Sequence, residues 1–256
     1  MPTLPQRFSL DGRKALVTGA SRGLGVTICE VLSAAGADII AVARSEADMA
    51  QTRRIVEGHG RRCLTVVADL GDPIAPDTVA QTVRAAWGGV DIVVNNAGVS
   101  FPRPLVDQTV EEWDTVQAIN LRAPWLLARA FAPGMIERKR GKIINISSQA
   151  SSVALIDHGA YVASKAGLNG LTKVMTAEWA AHNIQANAIC PTVVWTPMGE
   201  RVWSVGNKLE KLLEKIPAGR VATPEDVADT VLYLASDASN MVNGQEIFVD
   251  GGYTAL

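Results

Sequence analysis

Cysteine is scarce in this chain of 256 residues, which contains only three. Cys29, Cys63 and Cys190 are far apart and form no CxxC pair. An odd number of scattered cysteines argues against both a disulfide framework and a zinc site. We therefore expect a reduced, intracellular protein that binds no metal.

The sequence also lacks a strong net charge and any long apolar run. Its 24 Lys and Arg against 26 Asp and Glu give a formal net charge of −2, so no basic field favours nucleic acid or an anionic membrane surface. No apolar stretch approaches the ~18 residues that a membrane span needs, and residues 1–12 have no apolar core of a signal peptide. We expect a cytoplasmic protein whose partner is a small molecule, not nucleic acid or membrane.

The chain does show a regular alternation of short apolar runs with longer segments of helical spacing. Such apolar runs suit a parallel sheet covered on both faces, and the alternation implies right-handed βαβ units. Because no linker or repeat interrupts the pattern, we predict one α/β domain over residues 1–256. Its fold would be a Rossmann-type, doubly wound, seven-stranded parallel sheet with helices on both faces. The runs are 14–18, 38–43, 63–68, 91–95, 142–147, 185–190 and 245–249.

A glycine cluster over residues 18–25 follows the first run and precedes a helical segment at 26–35. Glycines let the chain turn tightly and let backbone N–H groups approach a pyrophosphate, while the next helix presents its positive end to that anion. A tight turn alone also needs glycine, but the position between strand and helix favours a nucleotide site. The predicted cofactor-binding residues here are Gly19, Ser21, Arg22, Gly23, Leu24 and Gly25.

The end of the second run indicates which nicotinamide cofactor is preferred. An acidic residue in this region would bind the ribose 2′-OH of NAD, but Ala43 and then Arg44 stand there. The Arg44 guanidinium, with Arg22 as a second cation, could pair with a 2′-phosphate. NADP(H) is therefore favoured and NAD(H) remains possible, since both arginines could be ordinary surface residues.

Further motifs follow the glycine cluster in a fixed order. They are Asp69-Leu70, Asn95-Asn96-Ala97-Gly98, Asn120, Ser148, Tyr161-Val162-Ala163-Ser164-Lys165 and Asp250-Gly251-Gly252. Together with the glycine cluster they resemble the short-chain dehydrogenase/reductase family over essentially the whole chain. The resemblance implies that Asp69 and Leu70 flank the adenine and that the segment after the fourth strand lines the cofactor through Asn96, Ala97 and Gly98. It implies that Pro191, Val194 and Thr196 meet the nicotinamide, although the family's Pro-Gly pair reads Pro191-Thr192 here.

Four of these residues are predicted to be catalytic, and three of them, Ser148, Tyr161 and Lys165, form the group around the reacting oxygen. Ser148 follows the fifth strand, and Tyr161 and Lys165 share one face of a helix predicted over 160–181. We expect Tyr161 to be the acid/base and Ser148 to hydrogen-bond the reacting oxygen. A free tyrosine has a pKa of about 10, so acid/base catalysis near neutral pH needs this pKa to be lowered by roughly 3 units. The Lys165 ammonium would supply it, while Tyr161 and Lys165 also contact the cofactor.

Asn120 lies in a helix that a capping box from Thr109 to Glu112 opens. Pro124 has no N–H for the carbonyl of Asn120, so we predict that this carbonyl is free to bind water. In the family the matching Asn holds a water that links the lysine to solvent, which implies a proton-relay role for Asn120.

The substrate is predicted from residues around the catalytic group. Gln149 follows Ser148, and His158 stands one turn before Tyr161, so both are expected to hydrogen-bond substrate hydroxyls. The pattern most resembles dicarbonyl/L-xylulose reductases and related polyol dehydrogenases. Trp195 and Trp203 belong to a predicted substrate lid over about 195–216. These tryptophans could stack on the substrate, or instead pack the lid or contact another subunit.

Two other functions are weighed against this one. A 3-oxoacyl carrier-protein reductase would need a basic docking surface, for which Arg122, Arg129 and residues 138–140 are candidates. A non-catalytic NAD(P)-binding regulator typically loses the tyrosine or the lysine, and both are present. The family resemblance also implies a homo-oligomer, commonly a tetramer.

Overall fold

A single seven-stranded parallel sheet runs through the computed structural model, which describes residues 3–196, 199–200, 203–204 and 206–256. The predicted fold is confirmed, and each strand lies within one or two residues of its predicted bounds. The strands are β1 Lys14–Thr18, β2 Asp38–Ala43, β3 Cys63–Val67, β4 Ile92–Asn95, β5 Gly141–Ile146, β6 Ile184–Pro191 and β7 Glu246–Val249.

The strand order is β3-β2-β1-β4-β5-β6-β7. From β1 at the centre, β2 and β3 extend the sheet to one edge. The chain then returns to the other side of β1, where β4 to β7 extend the sheet to the opposite edge. Loops that leave β1 and β4 turn toward opposite faces at this reversal, and a crevice opens between them at the carboxyl ends of the strands. This crevice is where the fold places a ligand.

Helices cover both faces because the central strands are apolar on both sides. In β1, Ala15 and Val17 join one core cluster and Leu16 joins the other. Helices α2 and α9 pack on the first face, and α4, α6 and α7 on the second. The helices are α1 Leu4–Phe8, α2 Leu24–Ala34, α3 Ala50–Gly58, α4 Ala75–Trp87, α5 Val110–Gln117, α6 Ala123–Arg138, α7 Gly159–Trp179, α8 Lys208–Leu213 and α9 Pro224–Ala235.

The structure bears on the expectations about membrane spans, cysteines and metal sites. No helix in the described part of the chain is long and apolar enough to cross a membrane. All three cysteines are free, and Cys29 and Cys190 are buried. Among the described residues, no group of three or more His, Cys, Asp or Glu side chains could hold a metal ion.

Candidate active site

One cavity of about 370 Å³ lies at the carboxyl edge of the sheet, in the crevice between β1 and β4. Its lining includes nearly every residue that the sequence singled out, so segments distant in sequence meet at one place. Of the predicted site residues, only Asn120 and Trp195 do not line it. Those that do are Gly19, Ser21, Arg22, Gly23, Leu24, Gly25, Arg44, Asp69, Leu70, Asn96, Ala97, Gly98, Ser148, Gln149, His158, Tyr161, Lys165, Pro191, Val194, Thr196 and Trp203.

The glycine loop forms one wall of this cavity because its backbone segments approach closer than side chains allow. A Cβ on Gly25 would lie 2.2 Å from the carbonyl oxygen of Gly19. Gly19 and Gly23 have φ of +66° and +55°, where glycine is favoured. Helix α2 therefore begins directly beside the turn that leaves β1. This cradle and the helix N-terminus fit a pyrophosphate.

Hydrogen bonds tie the glycine loop to the segment after β4. The Thr18 hydroxyl accepts from the N–H groups of Asn96 (3.0 Å) and Ala97 (2.9 Å), and the Asn96 amide donates to the Thr18 carbonyl (2.8 Å). The ends of β1 and β4 are thus held in fixed register across the crevice. We did not predict this role for Thr18, although its position at the end of β1 was a usable signal.

The wall near the end of β2 is positively charged. Ala43 ends the strand, and Arg44 lines the cavity with an exposed side chain. Arg22 is also exposed and lines the same cavity. Within the described part of the chain, neither arginine forms an ion pair, so no carboxylate of the protein neutralises them.

Three of the four residues predicted to be catalytic lie together at the other end of the cavity. Ser148 begins the short turn after β5, and Tyr161 and Lys165 stand one helical turn apart near the start of α7. The Lys165 ammonium is 5.6 Å from the centre of the Tyr161 ring and donates to the carbonyl of Ile146 at 2.7 Å. Because Lys165 is buried, that carbonyl fixes its charged end beneath the phenol.

The pKa of Tyr161 departs from the sequence-based expectation. Burial raises the pKa of this phenol above its ordinary value, and the neighbouring Ser148 hydroxyl only partly opposes the effect. Burial also lowers the pKa of Lys165 to about 8. The expected lowering of the Tyr161 pKa is therefore wrong for the chain without cofactor. The desolvation that favours a neutral phenol also disfavours the charged form of Lys165, the group that was expected to lower the pKa of the phenol.

Asn120 lies behind the cavity wall. It belongs to a π-helical turn, Ala118–Arg122, in which the N–H of Ala123 donates to the carbonyl of Ala118. Its buried amide accepts from the N–H of Val99 at 2.9 Å and donates to the Val99 carbonyl at 3.0 Å. It also donates to the Ser164 hydroxyl at 3.1 Å. The side chain thus joins the loop after β4 to α7, while the water-binding role of its carbonyl stays a prediction.

The helix that contains Asn120 begins as predicted. The Thr109 hydroxyl accepts from the Glu112 N–H, and the Glu112 carboxylate accepts from the Thr109 N–H, each at 3.2 Å. The helix then passes through the π-helical turn and continues as α6. Pro124 is near its start, where the missing N–H removes the bond that would reach back to Asn120.

The predicted substrate residues divide into two groups. Gln149, His158 and Trp203 line the cavity. Trp195 does not line it, and its side chain is 40% exposed. Its N–H donates to the Ala222 carbonyl at 2.9 Å, next to the bridge between Val194 and Ala222. Residues 197, 198, 201, 202 and 205 of the predicted lid lie outside the described residues.

Several lining residues were missed by the sequence analysis. Apolar Ile119 and Leu155 had no chemical motif to mark them. Ser100 was missed although it lies close to a recognised motif, and Thr192 was named only as the residue that replaces the glycine of the family's Pro-Gly pair. Their hydroxyl oxygens are buried and have no hydrogen-bond partner within the described part of the chain.

The arginines proposed as a carrier-protein docking surface are spread along α6 and are mostly engaged. Arg122 donates to the carbonyl of Gly71, and Arg129 pairs with Asp77. Arg138 is at the far end of the 16-residue helix, about 24 Å along the axis from its start and just before β5 begins at the amino edge of the sheet. Arg122 and Arg138 are therefore too far apart to form one compact basic patch.

Comparisons with known proteins extend over nearly the whole chain. A family model described as enoyl-(acyl carrier protein) reductase matches residues 19–254. The chain is 44% identical over 247 residues to L-xylulose reductase of Bos taurus, covering 96% of this chain and 98% of that protein. It is 39% identical over 247 residues to D-threitol dehydrogenase of Mycolicibacterium smegmatis, covering 96% and 95%. A crystal structure of a gluconate 5-dehydrogenase from Burkholderia cenocepacia J2315 in complex with NADP and tartrate matches with a TM-score of 0.94 and 36% identity, covering 99% of this chain and 100% of that one.

Proposed function

The chain belongs to the short-chain dehydrogenase/reductase family, whose members named above oxidise CH–OH groups or reduce the corresponding carbonyls, and from this premise we propose its reaction. The protein interconverts a ketone, ketose or dicarbonyl with the corresponding alcohol or polyol, using NADP(H). One observation carries the proposal: Ser148, Tyr161 and Lys165 line the same cavity as Gln149 and His158. The names of the relatives, for xylulose, threitol and gluconate, support a small polyhydroxylated substrate.

The preference for NADP(H) rests on the charge of the cavity wall. Arg44 and Arg22 offer two cations to a 2′-phosphate, and Ala43 leaves no carboxylate to bind a ribose 2′-OH. The cradle between Gly19 and Gly25 would hold the pyrophosphate, and Asn96 to Gly98 would line the path to the nicotinamide. When bound, the cofactor supplies or accepts the hydride, and the protein provides orientation and proton transfer.

Tyr161 moves the proton. During reduction its phenol donates the proton to the carbonyl oxygen, and the Ser148 hydroxyl holds that oxygen by a second hydrogen bond. The raised pKa of Tyr161 keeps the phenol protonated at neutral pH, which is the form that reduction requires. Alcohol oxidation needs the phenolate and should therefore gain rate as the pH rises.

The chain is also proposed to form a homo-oligomer, a tetramer by family resemblance, and to work in the cytoplasm. Sedimentation equilibrium of the purified protein tests the assembly, and a monomer at assay concentrations would contradict it.

Initial rates for the purified protein test the proposed reaction. Oxidation of NADPH and of NADH would be followed with L-xylulose, other ketoses, diacetyl, an aromatic ketone and an acetoacetyl thioester, with polyols in reverse. Faster NADPH oxidation with a ketose or diketone is expected. Activity confined to the thioester would favour the carrier-protein alternative that the family model's description suggests. Cofactor binding without turnover of any substrate would favour a non-catalytic regulator.

A further inference from the structure

A network of hydrogen bonds runs from β7, at the edge of the sheet, to the turn that carries Ser148. The Asn169 amide nitrogen donates to a carboxylate oxygen of Glu246 at 2.6 Å and to the Ser151 hydroxyl at 2.9 Å. The Ser151 hydroxyl in turn donates to the backbone carbonyl of Ser148 at 2.6 Å. Asn169 is 4% exposed and lies on α7, one helical turn after Lys165. The network therefore ends on the backbone of a proposed catalytic residue.

The carboxylate of Glu246 fixes the direction of the bonds in this network. A carboxylate can only accept, so the amide nitrogen of Asn169, and not its oxygen, must face Glu246. The second amide proton goes to the Ser151 oxygen, because the sulfur of Cys190, at 3.7 Å, is a weaker acceptor. Ser151 has one hydroxyl proton, which is then left for the Ser148 carbonyl. Turning the Asn169 amide over would place two acceptor oxygens against each other.

Glu246 is also held by a second residue of the same helix. Its other carboxylate oxygen pairs with the Lys173 ammonium at 2.7 Å. Lys173 stands four residues after Asn169, so both side chains reach Glu246 from one face of α7. The network thus joins β7, α7 and the turn after β5 at one place.

The bonds to the Ser148 carbonyl set the direction of the Ser148 side chain as well. This carbonyl accepts from the Ser151 N–H at 3.0 Å and from the Ser151 hydroxyl, which closes the turn Gln149–Ser151. Within that turn the Ser148 hydroxyl oxygen accepts from the Ala150 N–H at 3.1 Å. Its own proton is left to donate to the reacting oxygen in the proposed reaction. A displacement of the turn would therefore move the hydroxyl that faces the cavity.

We propose that Ser151, Asn169 and Glu246 are positioning residues that fix the turn after β5, so that the Ser148 hydroxyl points at the reacting oxygen. The inference rests on the proposed function and adds to it residues that contact neither substrate nor cofactor, since none of the three lines the cavity. A small displacement of a group that stabilises the transition state lowers kcat. Cofactor binding at the glycine loop does not depend on this turn.

Removing the hydroxyl that connects the network to Ser148 is the first test. Ser151→Ala should lower kcat for ketose reduction about three- to tenfold, as expected for one lost hydrogen bond, and leave the Kd for NADPH unchanged. Ser151→Thr keeps a hydroxyl and should restore most of the rate. Ser152→Ala removes the hydroxyl of the exposed neighbouring residue and is the matched control, which should keep the wild-type kcat.

The charged end of the network can be tested in the same assay. Glu246→Gln keeps an acceptor oxygen for the Asn169 amide, whereas Glu246→Leu removes it. Glu246→Gln should therefore retain a higher kcat than Glu246→Leu. Equal kcat values for both variants and the wild type would exclude Glu246 from the positioning role.

A double-mutant cycle separates positioning from a general loss of stability. Ser148→Ala removes the hydroxyl that the network directs, so adding Ser151→Ala to it should lower kcat little further. Losses that multiply in the double variant would overturn the inference. So would a Ser151→Ala protein with a lower Tm but an unaltered kcat, and in that case the proposed function stands.

Hydrogen exchange tests the turn without any turnover. In Asn169→Leu the amides of residues 147–153 should exchange about three- to tenfold faster than in the wild type, while those of β1 should not change. Equal exchange in the two proteins would overturn the inference. If the wild type reduces no ketone and oxidises no polyol, the proposed function fails, and the exchange rates alone decide whether the network fixes the turn.

Discussion

Replacing Gly25 by alanine tests the close approach of α2 to the turn after β1. The added Cβ would lie 2.2 Å from the carbonyl oxygen and 2.8 Å from the carbonyl carbon of Gly19, whereas ordinary contact begins at about 3.4 Å. Both atoms belong to the backbone, so relief requires the helix or the turn to move by about 1 Å. The same movement would spread the cradle proposed for the pyrophosphate.

The expected cost follows from overpacking a buried position. Such insertions typically cost about 1–3 kcal/mol, and a clash with the backbone carbonyl group of Gly19 places Gly25→Ala at about 3 kcal/mol. For a chain of this size, that corresponds to a loss of about 6–12 °C in Tm. Gly58→Ala is the matched control, because Gly58 ends α3 with no atom within 4 Å of an added Cβ. It should be neutral or stabilise by at most about 1 kcal/mol.

The assay is thermal unfolding of both variants with and without NADPH, together with the Kd for NADPH from fluorescence titration. Gly25→Ala should lower the Tm, weaken NADPH binding and reduce the stabilisation that the cofactor gives. Gly58→Ala should match the wild type in Kd. A Gly25→Ala protein with wild-type Tm and Kd would refute the reasoning that this helix and turn have no room for a methyl group.

Three further predictions concern the site and the buried lysines. Tyr161→Phe should lower kcat about 10²–10⁴-fold and leave the Kd for NADPH unchanged; undiminished turnover would overturn the acid/base role. Arg44→Asp should lower the NADPH-to-NADH ratio of kcat/KM about 10–100-fold, and an unchanged ratio would contradict the 2′-phosphate assignment. Burial lowers the pKa of Lys142 and of Lys165 to about 8, against an ordinary 10.5 for the unfolded chain. As the pH rises, the folded state therefore loses these protons before the unfolded state does. The free energy of unfolding should rise between about pH 8 and pH 9 by at most about 1.4 kcal/mol per lysine. Denaturant titrations would measure this rise, and a Lys142→Met variant with an undiminished rise would argue against the lowered pKa of Lys142.

The fold could be predicted from the sequence because its strongest signals are local. A strand buried on both faces must be apolar at nearly every position, so short apolar runs such as those of β1 and β2, alternating with segments of helical spacing, located the sheet. The order of strands and helices then restricts the chain to right-handed crossovers and places the carboxyl ends of the strands at one edge. The position of the cavity follows from that topology, and the motif residues that end each strand meet there.

Contacts between distant segments were not predictable in the same way. Trp195 and Trp203 look alike in sequence, but of the two only Trp203 lines the cavity. The pKa of Tyr161 depends on how much protein surrounds the phenol, which no spacing of residues reports.

The sequence by itself determined the sheet and predicted the glycine turn and the proposed catalytic group, because each depends on residue type at short range. Only the tertiary structure decided that Asn120 joins the loop after β4 to α7, and that Ser151 connects Asn169 to the backbone of Ser148. A hydrogen bond requires a particular direction between donor and acceptor as well as a short distance. The direction of these side chains is set by contacts between parts of the chain that pack against each other only in the folded structure.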